Sequence, residues 1–278
     1  MKVVHTLAAL NESLASPHRR VLVPTMGNLH EGHLRLIDTA RKHGEQVIAS
    51  IFVNRLQFAP HEDFDRYPRT LERDCEMLAA RGCDLVFAPD EQALYPQPQT
   101  YKVMPDPALA DILEGHFRPG FFMGVCTVVM KLLSCVRPDV AVFGQKDYQQ
   151  WRIVERMVHQ FALPTQIVGE PTCRASDGLA LSSRNGYLNE HERAQAVQLS
   201  TQLRQIAQAV QAGVTDLAML EEQAHRTLSQ GGWQVDYITV RRRLDLLPPA
   251  QGETIVGRCV ALAAARLGQT RLIDNLEV

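Results

Sequence analysis

No two of the six cysteines (Cys75, Cys83, Cys126, Cys135, Cys173 and Cys259) form a C-x-x-C pair, and most lie inside apolar stretches. That spacing argues against a zinc cage or a disulfide framework and for reduced thiols in a reducing compartment, so a cytoplasmic protein is expected. An excess of one charge is also lacking. With 29 Lys and Arg against 31 Asp and Glu, the formal net charge is -2, and the basic residues are scattered. A general nucleic-acid binder needs a basic face, which excludes that class. The one basic block, Arg241-Arg242-Arg243, is too small for phosphate-backbone binding and reads as a solvated strand or turn end. Long hydrophobic runs are missing too. Phe121–Val136 comes nearest, but Lys131 interrupts it and it falls short of the ~20 residues a membrane span needs, so it reads as a buried helix. Met1–Leu10 carries one Lys and an apolar patch broken by His5 and Thr6, too weak for a secretory signal. No internal repeat is visible.

What is present is an ordinary globular composition, 45% hydrophobic and 22% charged over 278 residues. Single cores stop growing near ~250 residues, so two unequal domains are expected. The first half alternates short β-branched runs with longer helical patterns, which predicts parallel β-α-β units and an α/β fold. Candidate strands are Val21–Thr25, Val47–Val53, Asp84–Ala88, Val140–Phe143 and Thr165–Val168. Leu34, Ile37 and Arg41 mark one helix between them, and Leu71, Cys75, Leu78 and Ala79 another. Right-handed crossovers then give an open sheet with its ligand crevice at the carboxyl ends of the strands. The pattern changes around Pro171, which places a boundary between residues 1-172 and 173-278. Beyond it, long helices at Glu190–Ala212 and Asp216–Leu228 and strands at Val235–Val240, Thr254–Ala264 and Arg271–Ile273 predict a smaller α+β domain.

Four segments carry chemistry. Pro24-Thr25-Met26-Gly27-Asn28-Leu29-His30-Glu31-Gly32-His33 sits where a strand ends and a helix begins. Free N–H groups and the helix dipole there favour an anion. His30 and His33, at i and i+3, share one face of the opening turn and can donate to phosphate oxygens as a leaving group gains charge. Zinc is the rival reading, but no third ligand is evident. Ser50-Ile51-Phe52-Val53-Asn54-Arg55-Leu56-Gln57-Phe58 ends a buried strand in amides, which can donate to a carboxylate and accept from hydroxyls, or simply shape a turn. Phe143-Gly144-Gln145-Lys146-Asp147-Tyr148-Gln149-Gln150 is again strand, turn and helix. Lys146 is a compact cation for phosphate, Asp147 either an N-cap or a partner for ribose hydroxyls, and Gln150 lies one turn on. Asp177-Gly178-Leu179-Ala180-Leu181-Ser182-Ser183-Arg184-Asn185 offers two hydroxyls and a guanidinium as a phosphate clamp. Arg118, in Leu113–Phe122, is a further clamp or a surface turn residue.

In this order the segments resemble the pantothenate synthetase (pantoate–β-alanine ligase) family, from about Thr6 to Asn275. The loops P-T-M-G-x-L-H-x-G-H, S-I-F-V-N, F-G-x-K-D-x-Q-Q and D-G-L-A-x-S-S-R-N carry the resemblance, and Arg271-Leu272-Ile273-Asp274-Asn275 matches the family's last strand. The resemblance implies a Rossmann-like parallel-sheet nucleotidyltransferase domain, a smaller C-terminal α+β lid, a homodimer, and ATP with Mg2+. It also implies that Met26, Gly27, Asn28, Leu29, His30, Glu31, Gly32 and His33 line the ATP site, with His33 the proton donor and His30 its partner. Gly144, Gln145, Lys146 and Asp147 would bind ATP, with Lys146 on its phosphates; Leu181, Ser182, Ser183 and Arg184 would close over the triphosphate, and the backbone of Cys173 would meet adenine. Gln57 and Gln150 would hold pantoate, Gln57 also lying near the β-alanine path. No protein-held metal is implied. The chain departs from the family pattern at Arg55, where the family has Pro, and at Phe121, where it has His. Loss of a proline loosens a loop by ~0.4 to 1 kcal/mol, and loss of the histidine removes a polar group near the site. Two alternatives follow: another H-x-G-H nucleotidyltransferase, or a catalytically weakened nucleotide-binding homologue.

Overall fold

A computed structural model describes residues 1–60, 62 and 64–278. It divides into two compact units: Met1–Gln145 with Ile153–Pro171, and Lys146–Arg152 with Thr172–Val278.

The first unit opens with β1 (Lys2–Val4), α1 (Leu7–Ser13), β2 (Arg20–Thr25), α2 (Glu31–Ala40), β3 (Gln46–Ile51), α3 (Leu71–Ala80) and β4 (Leu85–Phe87). Three one-turn helices follow, α4 (Glu91–Leu94), α5 (Pro107–Ala110) and α6 (Glu114–Phe117), then α7 (Phe121–Val136), β5 (Val140–Gly144), α8 (Tyr148–Gln160), which belongs to this unit from Ile153 on, and β6 (Gln166–Glu170). The six strands form one parallel sheet in the order β1-β4-β3-β2-β5-β6. Both faces of the central strands are buried, and Val21, Leu22, Val23, Ile48, Ala49, Val140 and Ala141 have 0% exposure. Continuous β-branched runs of this kind suit a parallel sheet covered on both sides. The chain steps outward from β2 to β3 and β4, then returns to place β5 on the other side of β2. This reversal between β2 and β5 is the position at which open α/β sheets bind ligands.

The second unit continues with α9 (Glu190–Gln195), α10 (Val197–Gln211), α11 (Leu217–Gln230), β7 (Gln234–Arg242), β8 (Cys259–Leu267) and β9 (Thr270–Glu277). Its strands form an antiparallel sheet ordered β7-β8-β9. Leu199, Leu203, Ile206 and Val210 of α10, with Leu220 and Leu228 of α11, share a core with Cys259, Ala261, Ala263 and Ala265 of β8. The i, i+3/i+4 spacing of the helical set and the period-two spacing of the strand set each direct one face inward.

Several boundaries differ from the sequence expectation. β1 is short, its Lys2 and Val3 are exposed, and three residues carry no readable period. The helix expected over Glu190–Ala212 is two helices. Its start is set by a reciprocal Asn189–Glu192 capping box, but Ala196 keeps near-helical dihedrals at the break (φ -58°, ψ -23°), so periodicity passes over it. The strand expected at Thr254 begins at Cys259, because Gly252 and Gly257 adopt φ of 81° and 73°. Left-handed glycines make turns rather than extended chain. The Arg241–Arg243 block is screened by acids: Arg242 pairs with Asp245 at 2.8 Å and Glu253 at 3.4 Å, and Arg243 with Glu277 at 2.8 Å. All six cysteines are free. Burial pushes the Cys83 thiol up to about 11 and the Cys126 thiol up to about 12, which leaves both as inert core thiols.

Candidate active site

The turn joining β2 to α2 is built by its own imidazoles. His30 is the N-cap of α2, and its Nδ1 accepts the Gly32 N–H at 3.1 Å. His33, at N3, accepts the His30 N–H on its own Nδ1 at 3.3 Å. The pair is a reciprocal capping box made of two histidines, in place of the usual hydroxyl and carboxamide. An Nδ1 that accepts from the backbone carries no hydrogen, so each neutral ring has its N–H at Nε2. The ring centroids are 4.1 Å apart. Two Nε2–H donors are thereby fixed side by side at the mouth of the helix.

Most of the other N–H groups of the turn are engaged as well. Asp74, on α3 and 1% exposed, accepts from Asn28 N–H at 2.8 Å and Leu29 N–H at 2.9 Å, with the Thr70 hydroxyl at 3.1 Å. Gly27 N–H donates to Thr25 Oγ1 at 3.2 Å, and His33 N–H to the His30 carbonyl at 2.8 Å. This corrects the expectation of a cradle of free N–H groups around an anion. The buried carboxylate and the imidazoles use those donors to hold Gly27 (φ 81°) and Asn28 (φ 52°) in left-handed conformation, a state that costs a non-glycine residue ~1 to 2 kcal/mol. Asp74 escaped the sequence reading because it lies 46 residues from Asn28. Its only local trace is a carboxylate next to Cys75 in the apolar stripe of α3.

Gln57 reaches the same turn. Its Nε2 lies 3.1 Å from Met26 Sδ, and its Oε1 accepts from Asn54 Nδ2 at 3.1 Å. Asn54, 1% exposed, also donates to the Gly124 carbonyl at 3.1 Å and accepts from the Tyr95 hydroxyl at 3.3 Å. Burial pushes the Tyr95 phenol well above its ordinary range, so it stays a donor. The two departures from the family pattern are accommodated here. The Arg55 guanidinium stacks 3.9 Å from the Phe64 ring centroid and its Nε lies 3.5 Å from Glu91. Arg118 sits 3.7 Å over the Phe121 ring, donates to Glu62 at 2.6 and 2.9 Å, and reaches the Gln57 carbonyl at 3.4 Å. Arg118 thus braces the Gln57 loop through Glu62 and the Gln57 carbonyl. Gly124 lets α7 touch that loop, since a Cβ there would run into the Leu56 carbonyl. Gly124→Ala is expected to lower stability by about 1–3 kcal/mol, read as a fall in the urea midpoint at constant slope; an unchanged midpoint would show that the loop yields.

Gly144 ends β5 and Gln145 follows it within the first unit, while Lys146, Asp147, Gln150, Cys173 and Leu181–Arg184 fall in the second. The Gln145–Asp147 turn leads into α8, with Asp147 exposed and Lys146 and Gln150 half-buried. Leu181 N–H donates to the Cys173 carbonyl at 2.9 Å and Arg174 bridges to Ala180, so 173–181 is a tight hairpin. After it, Ser182 caps the turn Ser183–Tyr187, its Oγ accepting Arg184 N–H at 3.2 Å. Asn185 Nδ2 ties that turn to the Ala180 carbonyl at 3.0 Å. The Arg193 hydrogen bond holds the Asp177 carboxyl below the usual range.

A family model described as pantoate-beta-alanine ligase matches residues 2–277. The chain belongs to this family. A curated relative, the pantothenate synthetase of Leptothrix cholodnii, is 65% identical over the full length of both chains. The crystal structure of pantothenate synthetase from Thermus thermophilus superposes with a TM-score of 0.94 at 42% identity, covering 100% of this chain and 99% of that one. The pantoate–β-alanine ligase of Francisella tularensis, complexed with beta-gamma ATP and β-alanine, gives a TM-score of 0.82 at 33% identity, covering 100% and 97%. Membership of the ligase family decides against the other H-x-G-H transferases, and the Rossmann-like sheet with its small antiparallel C-terminal domain is the fold of these ligases.

Proposed function

We propose that this ligase makes pantothenate through a pantoyl-adenylate, with the residues singled out above as its binding and catalytic groups. The activity is the ATP-dependent joining of pantoate to β-alanine. The pantoate carboxylate attacks the α-phosphorus of ATP, and the bond to pyrophosphate breaks. The neutral amine of β-alanine then attacks the acyl carbon, AMP leaves with the bonding pair of the acyl–oxygen bond of the mixed anhydride, and the nitrogen releases a proton to solvent to give the amide. No covalent bond to the protein is needed. Holding reactants in line can contribute up to ~7 to 11 kcal/mol of an acceleration.

The observation that supports this assignment most directly is the paired Nε2–H face of His30 and His33. Such donors match charge gathering on pyrophosphate, with His33 as proton donor. Lys146 adds a point charge to the phosphates. The 26–33 turn, Gly144, Gln145, Asp147 and Leu181–Arg184 bind ATP, and the Cys173 backbone meets adenine. The carboxamides of Gln57 and Gln150 hold pantoate, and the Asn54 hydrogen bond already orients the first. Mg2+ enters with the nucleotide. Among the described residues no cluster of three His, Cys, Asp or Glu could hold a metal ion. Free thiols agree with a cytoplasmic enzyme, and the family resemblance points to a homodimer. Among the described residues no helix is long and apolar enough to cross a membrane.

AMP and pyrophosphate are expected in equal amounts only when ATP, pantoate and β-alanine are all present, with enzyme-bound pantoyl-adenylate trapped when β-alanine is omitted. A coupled AMP-release assay with each substrate left out in turn checks the first point, and mass spectrometry of the quenched enzyme checks the second. Pyrophosphate release without AMP in the complete mixture would defeat this mechanism.

A further inference from the structure

The last strand, singled out in the sequence by Asp274 and Asn275, touches no substrate in the mechanism above, yet both of these side chains are buried. Asn275 is 5% exposed and Asp274 3%. Asn275 Nδ2 donates to the main-chain carbonyl of Lys146 at 2.8 Å, across 129 residues. Asp274 receives a two-pronged ion pair from Arg174 at 2.8 and 2.9 Å, and Arg174 also donates to the Asn275 and Gly178 carbonyls at 2.8 and 3.1 Å. Two residues on, Glu277 accepts the Tyr148 hydroxyl at 2.9 Å. Burial pushes that phenol up to about 12, which keeps it a donor. Thus β9 ties down both the turn that presents Lys146 and the hairpin that delivers Ser182–Arg184. These segments stay together as one compact unit although the chain between them passes through the other.

We propose that Asn275 is a positioning residue for Lys146, and that β9 acts as the splint setting the phosphate-facing turn of the second unit. A buried carboxamide whose N–H meets a main-chain carbonyl fixes the backbone from which a flexible side chain extends. A shift of about 1 Å at such a group can cost up to ~100-fold in rate. Packing alone does not require an amide here, since an apolar residue of similar size could fill the volume. The carbonyl it satisfies belongs to the residue assigned to the phosphates. The inference rests on that assignment of Lys146.

A double-mutant cycle tests it. Asn275→Ala, Lys146→Ala and the double variant are compared by kcat and KM for each substrate in the AMP-release assay, with thermal melts as a folding control. The expected result is a fall in kcat of about tenfold for Asn275→Ala, with the KM for β-alanine unchanged. In the Lys146→Ala background the same substitution is expected to cost less than about twofold, because residues acting as a unit are non-additive. Where Asn275→Ala does not fold, Asn275→Asp keeps the volume, removes the N–H donor and enters the same cycle. Folded Asn275 variants at full rate, or an equal loss with and without Lys146, would overturn the proposal while leaving the Lys146 assignment standing. A Lys146→Ala enzyme at full rate would remove that assignment and this inference together.

Discussion

His33→Ala is expected to lower pantoate- and β-alanine-dependent AMP release by about 10²- to 10³-fold, the loss typical of deleting one preorganised donor at a site of developing charge. The substitution removes two things at once. The Nε2–H is lost, and so is the acceptor for the His30 N–H that completes the capping box. The second loss alone costs about 1 kcal/mol of stability and would disturb His30. His33→Gln separates the effects, because a glutamine at N3 can reach back to the N-cap N–H but carries no imidazole. The Gln variant is therefore expected to melt close to the parent and still be slow, whereas the Ala variant is both slower and less stable. Parent-like AMP release by His33→Gln would remove the imidazole from the mechanism and leave His33 a capping residue.

Asp74→Ala carries the largest expected loss of stability, about 2–5 kcal/mol. Its carboxylate is the acceptor for two backbone N–H groups and one hydroxyl, and each orphaned buried donor costs about 1–3 kcal/mol. Leu29 is 2% exposed, so little water can replace the lost oxygen. Without that acceptor the left-handed pair Gly27-Asn28 loses its restraint, and His30 and His33 lose their platform. Asp74→Asn preserves the shape but offers one acceptor oxygen to two N–H donors. It is expected to sit between Ala and the parent in urea midpoint, with kcat reduced more than the KM for ATP. A midpoint within experimental error of the parent for Asp74→Ala would contradict the role drawn from the hydrogen bonds.

The α/β class was legible because β-branched runs such as Val21–Val23 and Val140–Val142 recur between helical periods, and a buried parallel strand needs just such a run. The H-x-G-H turn and the Ser182–Arg184 loop were legible because a cap, a glycine and a short polar run occupy neighbouring positions. The same locality hid three features. β1 gains its place only by pairing with Leu85–Phe87, the break at Ala196 leaves the helical period intact, and the strand start at Cys259 depends on left-handed glycines just before it.

By itself the sequence determined the fold class and the family and marked the residues to which the chemistry is assigned, since each is written in periodicity or in short contiguous motifs. Tertiary structure decided which atoms of those motifs are available. It showed that Asp74 consumes the Asn28 and Leu29 N–H groups, that both imidazoles spend Nδ1 on the backbone of the turn, and that Asn275 holds the Lys146 backbone. Apart from the imidazole caps, these are hydrogen bonds between residues tens to more than a hundred positions apart. A hydrogen bond is decided by distance and angle after the chain has closed on itself, and leaves no period along the chain before it does.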